Sequence, residues 1–242
     1  MGRKVKRFKN SKLPVIKFAS DEIDVHDIPK PSKLSVPDWY KNNSLNFEGT
    51  NNLIPEGNIS HTFKRCVPFL DCLTSGYIAE LWSDVIVRKD PTGKSTFEWR
   101  TGRAVLEERP LQTSLELPVP AGHSIQRLAW KVPYYLQTSK GYSALITHPL
   151  NRFDLPFTTL SGIVDTDEVM YAGNIPFFIR ADFEGVIPKG TPIYQIIPFR
   201  REDWTSQQDV EIINQGHINH RRSFSVMNGW YKRNVWSRKN YL

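Results

Sequence analysis

The sequence predicts a mainly β protein, with one sandwich or barrel over about residues 61–200, an extended N-terminal arm and a helical, basic C-terminal segment. Three observations carry this expectation. Between 61 and 200, short apolar runs alternate with Gly, Pro and charged turns at spacings of about 8–15 residues, the rhythm of an antiparallel β domain. No long segment there repeats its apolar residues at a helical period. Both ends of the chain are basic and the middle is not: residues 1–17 and 221–242 contain no acid and hold thirteen of the 32 Lys and Arg. The remaining 19 face 25 acids, so the stretch between carries about six net negative charges.

Residues 1–60 form the arm. Val15, Ile16 and Phe18 suggest one short strand, and Ile28-Pro29-Lys30-Pro31 is extended by its prolines. Val36 to Lys41 suits one helical turn with Pro37 early in it. Asn42 to Asn58, rich in Asn and Gly, reads as a loop. The β block begins with a strand over Ile78–Val87, turns at Asp90-Pro91-Thr92-Gly93-Lys94 and returns over Ser95–Arg100. Leu128–Tyr135, Ser143–Thr147, Thr158–Val164, Pro176–Ile179 and Ile193–Phe199 follow as strands. Trp82, Trp99, Trp130 and Trp204 are expected as core or interface anchors. Beyond 200, acids early and Arg221 and Arg222 late complement a helix dipole, so 201–242 is read as helical. Its tail mixes Trp230, Tyr231 and Trp236 with Lys and Arg, which suits packing on the body or stacking on bases.

With 242 residues and 39% hydrophobic content, the chain builds a core without staples. No apolar run reaches the length of a membrane span, and the basic start lacks the apolar stretch of a secretory signal. Cys66 and Cys72 alone suit a reducing compartment and make a structural zinc site improbable. His217 and His220 share a helix face but lack a carboxylate partner. P-loop, nucleophile-elbow, dinucleotide-binding and His-Glu-x-x-His signatures are absent.

Lys140–Phe199 is dense in polar residues placed among apolar ones. His148, Asn151, Arg152 and Asp154 form a candidate cluster that Asp165 and Asp167 join if the strands bring them together. His148 and Asp165 are the candidate catalytic residues. Arg152 offers an anion contact, and Asp165 and Asp167 offer water or metal ligands. The plainer alternative pairs Arg152 with Asp154 or Asp165 and uses Asn151 and Asp154 as turn caps. Gln195, alone in an apolar run, marks a polar partner or a subunit contact.

Ser161-Gly162-Ile163-Val164-Asp165-x-Asp167, then Tyr171-x-Gly173, then Pro188-Lys189-Gly190-x-x-Ile193-x-Gln195-Ile196-Ile197 resembles the deoxyuridine triphosphatase and dCTP deaminase family. That resemblance implies a β-clip fold, usually trimeric, with Asp165 near the sugar and the attacking water. Where the family has a phosphate-binding Pro-Arg-Ser, this chain has His148-Pro149-Leu150-Asn151-Arg152, and it lacks the family's Gly-rich closing arm. A second pattern covers about residues 28–204: Arg65-Cys66-x-Pro68-Phe69, Gly141-Tyr142-Ser143, His148-Pro149-x-Asn151-Arg152, Ser161 to Asp167 and Lys189-Gly190-Thr191-Pro192. It is similar to a family of uncharacterised phage proteins, cyanophages especially, with bacterial members.

The expected function is a non-enzymatic phage-type β protein with a structural or binding role, in a virion or in the host cytoplasm. It would be a homo-oligomer, a trimer by resemblance, meeting other virion proteins or nucleic acid and no membrane. One alternative is a divergent nucleotide hydrolase, the only reading that calls for a cofactor, Mg²⁺, with Arg152 or Lys140 on phosphate. The other is a nucleic-acid-binding module that uses Arg3, Lys4, Lys6, Arg7, Lys232, Arg233, Arg238 and Lys239, favoured if the two ends meet on one face.

Overall fold

A computed structural model describes residues 13–20, 28–45, 62–110, 117–170, 173–223 and 230–242. Among them the chain is mainly β. Four antiparallel sheets form, all of them open, and none closes into a barrel. No helix among the described residues is long and apolar enough to cross a membrane.

The arm contributes strands rather than a separate unit. Strand β1 (Ile16–Ala19) pairs with β8 (Tyr135–Thr138), Ile16 opposite Thr138 and Phe18 opposite Leu136. The pair is extended by Val15, whose N–H donates to Ser139 Oγ at 2.8 Å. Strand β2 (Lys30–Pro31) lies on β3 (Tyr77–Glu80), an edge place that proline tolerates. Helix α1 (Asp38–Lys41) follows Pro37, with Asp38 in its first turn and Lys41 in its last, as dipole and ring geometry require.

Helix α2 (Val67–Thr74) is absent from the sequence expectation. Pro68 opens it, and it ends before Gly76, whose φ of +66° lies in the left-handed region that favours glycine. A Cβ on Gly76 would stand 2.0 Å from the Ile196 carbonyl oxygen, so the turn is pressed directly against a neighbouring strand.

The run Ile78–Val87, expected as one strand, is two. β3 ends at Glu80, Leu81–Asp84 turn a corner, and β4 (Val85–Lys89) begins in a different sheet. Apolar residues continue through the corner because both sheets face one core, so hydropathy alone gives no sign of the break. The β4–β5 hairpin does follow its turn chemistry: Asp90 Oδ1 accepts from the N–H groups of Thr92 and Lys94, and Gly93 takes φ +82°. It aligns β5 (Ser95–Trp99) on β4, and β13 (Gly185–Ile187) covers the other side.

Leu128–Tyr135 likewise divides, into β7 (Arg127–Trp130) and β8, with Pro133 between them. Thr158–Val164 divides into β10 (Phe157–Thr159) and β11 (Gly162–Val164), again in separate sheets. The four-stranded sheet runs β10, β12 (Ile175–Ile179), β7 and β6 (Leu106–Arg109). The five-stranded sheet runs β11, β9 (Tyr142–Thr147), β14 (Pro192–Arg200), β3 and β2.

The core lies among these sheets. Trp130 is fully buried and stacks on Phe177 at 3.7 Å between ring centroids, with Phe157 edge-on to both. Fully burying an aromatic or aliphatic side chain of this size stabilises by roughly 1.5–3 kcal/mol. The Tyr134 and Tyr194 hydroxyls bond to each other inside, satisfying two groups that burial would otherwise penalise. Trp82 is buried and Trp99 half-buried, but Trp204 is 86% exposed and anchors nothing within this chain. After β14 the chain stays exposed through residue 219 and enters helix α3 (Ile212–Ser223), and a short helix α4 (Trp230–Asn234) follows.

Candidate functional site

The polar residues of Lys140–Phe199 form two groups, at opposite ends of β9. Ser143 and His148 are five positions apart, about 16 Å of extended chain.

At the first end, Asp165 and Asp167 follow β11 and meet Arg201, which follows β14. Arg201 grips Asp167 with both nitrogens, Nη1 to Oδ1 at 2.7 Å and Nη2 to Oδ2 at 2.6 Å. The Gly141 N–H donates to Asp167 Oδ2 at 2.7 Å. The Asp167 side chain is 1% exposed. Hydrogen bonds from Arg201, then from Gly141, hold its carboxyl well below the usual carboxylate range despite burial. Asp165 accepts from Ser143 Oγ at 2.6 Å and lies 3.4 Å from Arg201 Nη1. A divalent ion does not fit this pair well, since binding Asp167 would displace a bidentate guanidinium. Among the described residues no three of His, Cys, Asp and Glu are grouped to hold a metal.

At the second end, His148 is a structural link. Its Nδ1 accepts from the Thr159 N–H at 3.3 Å, so the proton sits on Nε2, 3.0 Å from the Arg152 carbonyl oxygen. Burial lowers its pKa and keeps the ring neutral. Arg152 pairs with Asp154 side-on, Nε to Oδ1 at 2.9 Å and Nη2 to Oδ2 at 2.8 Å. Asn151 turns the chain with φ +60°. Gln195 is 1% exposed and fully used: Oε1 accepts from Leu150 N–H, and Nε2 donates to the Cys72 and Ser75 carbonyls. Its polar partner is therefore the chain itself, and the amide ties α2, β14 and the Pro149–Arg152 turn together.

A third feature brings the first described residues beside the last. The segment Asn240–Leu242 lies beside Leu13–Ile16, and a cavity of about 220 Å³ opens between them. Tyr241 packs edge-on against Tyr77 at 6.0 Å, and the Tyr77 hydroxyl donates to the Leu242 carbonyl at 3.2 Å. Upstream, Trp236 Nε1 donates to both oxygens of Asp71, and Lys239 Nζ meets the same carboxylate at 2.5 Å. Lys239 is thus engaged in holding the segment. Lys232, Arg233 and Arg238 are exposed with no ion pair among the described residues. Lys17 on β1 and Lys140 beside Ser139 are exposed near the same seam. Arg3, Lys4, Lys6 and Arg7 lie outside the described residues.

Sequence reading reached the Arg152–Asp154 pair as one of its alternatives, because the partners are two residues apart. It missed Arg201, which lies 34 residues from Asp167, and Asp71, which lies 168 from Lys239. No local spacing signals either contact. Comparison with protein-family models and with curated proteins finds no match for this chain.

Proposed function

We propose that this chain is a non-enzymatic β protein that holds nucleic acid on the face where its two basic ends meet. One observation carries the reading: Leu13–Ile16 and Asn240–Leu242 line the same cavity, so the described part of the N-terminal acid-free segment and the last residues of the C-terminal one lie side by side. Two basic segments at one face sum their fields, and an anionic polymer gains by releasing counterions from both. Of the nearby acids, Asp71 is held by Trp236 and Lys239, and Asp167 by Arg201. The hydrolase alternative has less support, since Asp165 is engaged by Ser143, Asp167 by Arg201 and His148 by the Arg152 carbonyl.

The β-clip expectation belongs to the same proposal. What supports it is that the Ser161–Asp167 and Pro188–Ile197 motifs lie on β11 and β14, the two neighbours of β9 in one sheet. A phage setting, virion or host cytoplasm, rests on the resemblance of residues 28–204. The run from 201 to 219, exposed throughout and carrying Trp204, Val210, Ile212 and Ile213, supports a homo-oligomer.

The test is binding of a labelled 20-nucleotide oligomer between 50 and 300 mM salt. Affinity is expected to fall steeply with salt, and the slope to flatten when Arg3, Lys4, Lys6, Arg7, Lys232, Arg233 and Arg238 are changed to Gln. An affinity that ignores both salt and these substitutions would sink the reading.

A further inference from the structure

The cavity at the seam has features that phosphate binding alone does not need. Three tyrosines, Tyr77, Tyr142 and Tyr241, contribute to its wall, together with Asn240 and Pro198. Tyr77 is buried and fixed between Phe18, at 5.6 Å and 68°, and Tyr241. Tyr142 and Tyr241 are only half-buried, and their hydroxyls have no hydrogen-bond partner among the described residues. Aromatic faces with free polar edges, opening between two basic segments, match the chemistry of an unpaired base: a flat π surface rimmed by donors and acceptors, joined to phosphates.

Resting on the nucleic-acid reading above, we infer that this cavity takes one unpaired base, so the preferred ligand is single-stranded. The volume, about 220 Å³, falls below the roughly 300–1,000 Å³ of pockets that swallow whole drug-sized ligands. It has room for a ring system. The base stacks on Tyr142 or Tyr241, and the Asn240 amide, which can donate and accept, faces its edge. The phosphates on either side stay outside, near Lys17, Lys140 and Arg238. A paired base reaches the cavity only after leaving its stack, which costs the duplex a few kcal/mol, so duplex is disfavoured at equal charge.

Three 20-mers measured on the full chain at one salt concentration test this: dT20, an abasic strand of the same length, and a duplex. The abasic strand keeps the phosphates and lacks the bases, so it needs no protein variant. The expected result is dT20 binding roughly 5- to 140-fold tighter than the abasic strand, the range of one stacked base. That preference should disappear in Tyr241→Ala and Tyr142→Ala variants with wild-type circular dichroism. Equal affinity for dT20 and the abasic strand overturns the base cavity and leaves the electrostatic reading standing. A preference for dT20 that survives both substitutions also overturns it, because the bases are then read elsewhere. Failure of all three strands to bind removes both proposals.

Discussion

His148 and Asp167 lie beside the two ends of β9, and acid reaches them in turn. The folded pKa of His148 is lowered by burial, so below about pH 6.5 the unfolded chain takes up a proton that the folded chain resists. Stability from this residue is complete above that pH and declines as pH falls through it. The folded pKa of Asp167 is lowered by Arg201, so its contribution is present above about pH 4 and is lost below it. Urea midpoints measured from pH 3 to 7 should therefore show two successive losses. His148→Gln should remove the upper one and leave the lower, and Asp167→Asn should shrink the lower one, to which Asp90, Glu107, Asp154 and Asp182 also contribute, and leave the upper. A single step that neither variant alters would contradict both assignments. At this scale the sequence was half readable. Asn151, Arg152 and Asp154 lie within one turn and can be paired by inspection, whereas Asp167 meets its cation only because β11, β9 and β14 are neighbours.

Among the elements, the end of α2 sets the tightest constraint. Gly76 has both a positive φ and a carbonyl pressed against the place of its missing side chain, whereas Gly122, at φ +75°, faces open space. Gly122→Ala should cost only the left-handed penalty, about 1–2 kcal/mol. Gly76→Ala should cost that much plus the displacement of β14, at least about 3 kcal/mol in thermal or urea unfolding. Similar losses at the two sites would show that the close approach to Ile196 carries no weight. The elements that sequence reading recovered are those whose ends are written locally. Pro37 opens α1, and Asp90 with Gly93 turns the β4–β5 hairpin. It joined β3 to β4 and β10 to β11 because a chain that passes from one sheet to another across a shared core remains apolar at the corner. It passed over α2, whose Pro68 is a favoured first-turn residue.

For the whole molecule, the exposed run after β14 is the feature hardest to reconcile with a solitary chain. Trp204 is 86% exposed, Val210 66%, Ile212 63% and Ile213 51%. If these side chains meet another copy, sedimentation will find a species larger than 28.0 kDa. Trp204→Ala combined with Ile213→Asp should return it to that mass, while a wild-type chain that sediments at 28.0 kDa at all concentrations refutes the assembly. The three-way tie of Gln195 has a different consequence, felt during synthesis. Its amide reaches the Ser75 carbonyl across 120 residues. At about 5–20 residues per second, a ribosome spends roughly 6–24 s making the chain between them. Throughout that interval one side of β3 has no strand to lie against, so the nascent protein must be shielded or kept dilute until its last β-strand emerges.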